Sequence, residues 1–85
     1  MRAKKILFTP GKLYRVIYPF NVFASVTNMY NDLEGIVTKM ERGMITMVVE
    51  TLSLGPPPNM SLVRVVSSQG MGYSWINDTD LELIQ

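Results

Sequence analysis

The stretch from Gly35 to Thr51, GIVTKMERGMITMVVET, is the longest run in which strand-forming residues flank a built-in turn. Ile36, Val37 and Thr38 are branched at Cβ and favour a pleated backbone. Glu41-Arg42-Gly43 makes a short polar loop whose glycine tolerates φ > 0, and Ile45, Met47 and Val49 then alternate with Thr46 and Glu50. The pattern predicts a β-hairpin of Leu33 to Met40 and Met44 to Ser53, with Val37, Ile45, Met47 and Val49 facing the core. None of these residues is a catalytic group, so the run speaks for a fold and an assembly before it speaks for a reaction.

The remainder of the chain has the same grain. Thr9-Pro10-Gly11 is a turn, and Lys12 to Tyr18 is a first strand closed by Pro19. Val22 to Thr27 is either a strand or a long ordered loop, and Asn28 to Asp32 is turn-like. Gly55-Pro56-Pro57-Pro58-Asn59 is a stiff connection that a sheet interior excludes. Ser61 to Ser67 is a strand with Val63 and Val65 on one face and Leu62, Arg64 and Val66 on the other. Both of its faces are largely apolar, which calls for cover on both sides. Gln69-Gly70-Met71-Gly72 reads as a flexible turn, Tyr73 to Ile76 as a short strand, and Leu81 to Ile84 as the last. Short strands with tight turns and no amphipathic helix predict an all-β fold, a small antiparallel barrel of five to six strands forming a single domain over residues 1–85.

Composition bounds the function. The chain is 47% apolar and 18% charged, against about 25% charged for an average soluble domain, which is more apolar surface than a small barrel hides. Homo-oligomerisation is therefore expected. There is no cysteine and no histidine, so disulfides, thiolate metal sites and the commonest general base are excluded. The expectation is a protein that is not an enzyme and uses no cofactor or metal. No apolar run reaches the roughly 18 residues of a membrane helix, which predicts a soluble, cytoplasmic chain with no membrane partner. Arg2, Lys4, Lys5, Lys12 and Arg15 give the first fifteen residues five positive charges and no negative ones, although the whole chain carries only +1. Residues 1–11 thus read as a basic amino-terminal arm able to follow phosphates.

Gly35, Val37, Met40, Glu41, Met44 and Ile45, followed by Thr46-Met47-Val48-Val49, resemble the first sequence motif of the Sm and Sm-like RNA-associated proteins. The likeness covers about fifteen residues. The whole chain, with its GYSWINDTDLELI ending, is also similar to Sm-like proteins of marine phage origin. The resemblance implies a strongly bent, SH3-type barrel joined edge to edge into a ring, a role in RNA or DNA processing, and, if the chain is phage-encoded, the cytoplasm of a host cell. It also shows departures. Ile45 and Gly43 stand where the family's base-binding asparagine and its partner are expected, and Gln69-Gly70 stands where an Arg-Gly pair is expected.

The residues that remain as candidates for binding single-stranded RNA or DNA are Lys39 and Arg42 beside the central turn, Gln69 in the last loop, Tyr73 as a stacking group, and Arg2, Lys4 and Lys5 in the arm. Leu62, Arg64 and Val66 are the candidate oligomer interface. The alternative is a structural or adaptor module, such as a phage particle component, that binds another protein through apolar edges. Asp78, Asp80 and Glu82, spaced by two, would share one face of a strand and read as a solvated outer surface.

Overall fold

The computed structural model describes residues 8–27, 32–55 and 59–84. They form strands β1 (Leu13–Val16), β2 (Phe20–Val26), β3 (Leu33–Met40), β4 (Ile45–Leu54), β5 (Met60–Ser67), β6 (Gly70–Asn77) and β7 (Leu81–Leu83). All lie in one antiparallel sheet of order β3-β2-β6-β5-β4-β1-β7. The segment left open between strand and loop is β2, which makes the sheet seven-stranded and not five- or six-stranded. Its branched and aromatic residues pair with β3 from Phe20↔Met40 to Val26↔Leu33, with a bulge between Val22 and Phe23.

The sheet is strongly curled. Laid flat, its edge strands would stand roughly 29 Å apart at about 4.8 Å per step, yet Met40 of β3 and Leu81 of β7 share one buried cluster with Val16, Val22, Val48, Val63, Val65 and Ile76. Backbone bonds between Val16 and the β3–β4 turn bring the two halves together: Gly43 N–H donates to the Val16 carbonyl and Val16 N–H to the Met44 carbonyl, both at 2.8 Å. β3 and β7 do not pair with each other, so the barrel is open and each edge strand has one unpaired side among the described residues. The β2–β3 ribbon also projects: Ala24, Ser25, Gly35, Ile36 and Val37 are exposed, and Ile36 retains 65% of its surface.

Two expectations are corrected. First, β3 and β4 do not form a hairpin. Residues 41–44 do close a tight turn, with Met44 N–H bonded to the Glu41 carbonyl at 3.1 Å and Gly43 at φ 92°, as a glycine at the third turn position allows. The strands then part, because β4 uses both its sides on β1 and β5 while β3 uses one on β2. Second, β4 presents the opposite face to the core. Thr46 and Val48 are wholly buried, Met47 and Val49 are half-buried, and Ile45 and Val37 keep 40% and 44% of their surface. The hydroxyl of Thr46 donates to the Val66 carbonyl at 2.9 Å, which removes the cost of burying it. Val63 and Val65 are buried as expected, and β5 is covered on both faces around Ser61-Leu62-Val63.

Gly72 is a strand residue and not part of a flexible turn. A Cβ there would lie 2.4 Å from the Phe23 carbonyl oxygen and 2.6 Å from Cγ1 of Val22, so only glycine lets β2 cross this close to β6. The contact matters because a single ladder pair, Phe23↔Tyr73, joins the two strands, supplemented by the Ser74 hydroxyl donating to the Asn21 carbonyl at 2.8 Å.

Candidate nucleic-acid interface

The curl gathers three of the candidate residues at one end of the open barrel. Met47 faces Val66 across β4 and β5, so following the register two residues further sets Ile45 beside Ser68. The β3–β4 turn carrying Arg42 and the β5–β6 turn carrying Gln69 therefore lie side by side. β3 joins them, since a Cβ on Gly70 would sit 3.7 Å from Cγ1 of Val37. Lys39, next to the buried Met40, completes the group. Lys39, Arg42 and Gln69 are all exposed. The Gln69 turn is braced by the Gln69 N–H donating to the Ser67 hydroxyl at 3.1 Å.

Neither Lys39 nor Arg42 has an ion-pair partner among the described residues. Of the carboxylates on β4 and β7, Glu50 pairs with Arg64 at 3.6 Å and Glu82 with Arg15 at 3.1 Å, and Glu41 precedes Arg42 in the turn. Two unpaired cations and a neutral hydrogen-bonding side chain at one end favour an anionic, hydrogen-bonding ligand.

Tyr73 is not part of that end. It lies on the outer face of β6, half-buried, opposite Arg64 on one side and Phe23 on the other. Arg2, Lys4 and Lys5 lie outside the described residues. Of the candidate interface residues, Leu62 is corrected: it is wholly buried within the single chain, opposite Ser53 and Trp75, and offers no surface to a neighbour. Arg64 and Val66 are partly exposed on the outer face, and the Arg64 Nε is buried without a hydrogen-bond partner.

The acidic carboxyl-terminal group does not share a strand face. Asp78 and Asp80 belong to the turn before β7, where the Asp80 carboxylate accepts the Asn77 N–H at 3.0 Å, and Glu82 alone is on the strand. Leu81 is buried, whereas Leu83 is 57% exposed. Among the described residues no cluster of three or more Asp, Glu, His or Cys is arranged to hold a metal ion, and no helix is long and apolar enough to cross a membrane.

Sequence reasoning missed a shallow apolar trough of about 230 Å³ beside the Arg42 turn, lined by Leu13, Ile45, Thr46, Met47, Val66 and Ser67. The signal was present in Ile45 and Met47, which alternation alone assigned to the core. No protein-family model, curated protein or solved structure matches the chain.

Proposed function

We propose that this protein is a non-enzymatic, Sm-like nucleic-acid-binding module that assembles through its open sheet edges into a homo-oligomeric ring and holds a single strand of RNA or DNA on the end carrying Lys39, Arg42 and Gln69, with a role in RNA or DNA processing. The observation that supports this reading is the convergence of two unpaired cations and a glutamine on one end of a fold whose two edge strands remain open. Phosphates would pair with Arg42 and Lys39, and Gln69 would hydrogen-bond a base or sugar. Two neutralised phosphates per subunit correspond to a salt slope of only about −1.4 for a single strand, so useful affinity comes from repetition around the ring.

Equilibrium binding of fluorescent oligonucleotides over a salt series tests it. The double variant Lys39→Ala/Arg42→Ala is expected to weaken binding and flatten the salt dependence. An unchanged affinity and slope would reject the site and favour the adaptor reading, which the exposed Ile36, Val37 and Leu83 on the two edge strands also support. In that reading the same edges receive a strand from another protein, as exposed β-edges do.

A further inference from the structure

We propose that the outer-face trough beside the Arg42 turn is a stacking subsite for one unpaired base of a bound single strand; the inference rests on the function proposed above and adds where a base is held. The register lines up Leu13, Met47, Val66 and Met71 across β1, β4, β5 and β6. Ile45 stands next in the trough, opposite Arg15. These side chains are not spent on the core: Ile45 is 40% and Met71 52% exposed.

The chemistry of the walls selects the occupant. Met47 lines the trough and Met71, one strand beyond Val66, flanks it; their polarizable thioethers favour contact with aromatic rings. Each hydroxyl at the rim has a partner within the chain: the Thr46 hydroxyl donates to the Val66 carbonyl and the Ser67 hydroxyl accepts from Gln69 N–H. The trough therefore receives a flat ring by its faces and leaves the ring's polar edge to solvent, as sequence-tolerant base stacking does. At about 230 Å³ it lies below the roughly 300–1,000 Å³ of small-molecule pockets and suits a single ring system.

Charge separates a nucleotide from an aromatic side chain of a protein. Lys12 precedes Leu13, Arg15 faces Ile45, and Arg42 lies three residues before Ile45 in the adjoining turn. Glu41, Glu50 and Glu82 are the carboxylates of this neighbourhood, with Glu50 held by Arg64 and Glu82 by Arg15. Lys12 and Arg42 have no ion-pair partner among the described residues. A base seated on Met47 would carry its phosphates towards cations that an uncharged aromatic side chain has no use for.

The test uses the full chain with its methionine methyl groups labelled with carbon-13, the Met47 resonance being assigned by Met47→Leu. Oligouridylate and an abasic sugar–phosphate oligomer of equal length are the probes. Oligouridylate is expected to move the Met47 and Met71 methyls upfield by ring current, whereas the abasic oligomer is expected to leave them in place. Met47→Gln should weaken oligouridylate binding about three- to tenfold and leave abasic binding unchanged, while Met47→Leu, which keeps an apolar wall, should fall between. If oligouridylate binds and Lys39→Ala/Arg42→Ala weakens it, but the two methyls do not move, the subsite is wrong and the proposed function stands. If oligouridylate does not bind at all, both are overturned. Equal methyl shifts with an uncharged tyrosine-containing peptide would overturn the subsite in favour of a protein ligand.

Discussion

Replacing Gly72 by alanine should be the most damaging single-atom addition to this fold. Its Cβ would meet the Phe23 carbonyl oxygen at 2.4 Å and the carbonyl carbon at 3.2 Å. These are backbone atoms, which cannot rotate aside, and the nearby Val22 methyl belongs to a wholly buried core residue. Relief requires β2 to retreat by about 1 Å, because ordinary contacts begin near 3.4 Å. That movement strains the lone Phe23↔Tyr73 pair and the Ser74–Asn21 bond that join β2 to β6. Overpacking costs about 1–3 kcal/mol, and loosening one or two hydrogen bonds adds about 1 kcal/mol each. The reduced freedom of the unfolded chain offsets roughly 0.4–1 kcal/mol. A net loss of about 2–4 kcal/mol follows, which for a domain of this size lowers Tm by roughly 10 °C or more. Thermal and urea unfolding followed by circular dichroism measures it. Gly43→Ala is the comparison, since a Cβ there meets nothing within 4 Å and only φ, at +92°, is unfavourable; its cost should stay at about 1–2 kcal/mol. A Gly72→Ala protein as stable as the parent, or more stable than Gly43→Ala, would refute the close approach of β2 to β6.

Four further outcomes are expected. Thr46→Val should cost about 1–2 kcal/mol in urea unfolding, because it deletes a buried donor to the Val66 carbonyl. Leu62→Ala should cost about 2–5 kcal/mol in the same assay, as expected of a fully buried leucine. Arg15→Ala should change stability by less than about 1 kcal/mol, since its pair with Glu82 is half-exposed on both sides. If the proposed ring forms through its open edges, Ile36→Lys should leave unfolding unchanged but shift sedimentation towards the monomer; unchanged sedimentation would remove β3 from the proposed assembly.

Strand positions were legible where branched residues run together. Leu33 to Met40 has the predicted limits, and Ser61 to Ser67 differs by one residue. Partners were not legible, because the turn chemistry of Glu41-Arg42-Gly43 is the same whether the flanking strands pair or diverge; the divergence comes from β1 and β5 claiming both sides of β4. The inward face of β4 was misread for a related reason. Val48 and Val49 make both faces apolar, and nothing local announces that the Thr46 hydroxyl will find the Val66 carbonyl. Gly72 did carry a signal, an isolated glycine within a strand pattern, but its neighbour Gly70 made the pair look like a turn. Lys39, Arg42 and Gln69 were legible one by one as polar residues beside turns, whereas their convergence depends on the curl and the outer-face trough on the true orientation of Ile45 and Met47.

The length dependence of single-strand binding tests the central claim most directly. Affinities of the parent and of Arg42→Ala are measured for a trinucleotide and for a strand long enough to touch several subunits. A ring that repeats one weak site per subunit predicts that Arg42→Ala weakens the long strand far more than the trinucleotide, because a contact is lost at each engaged subunit. An equal loss for both lengths, or no loss for either, would contradict it.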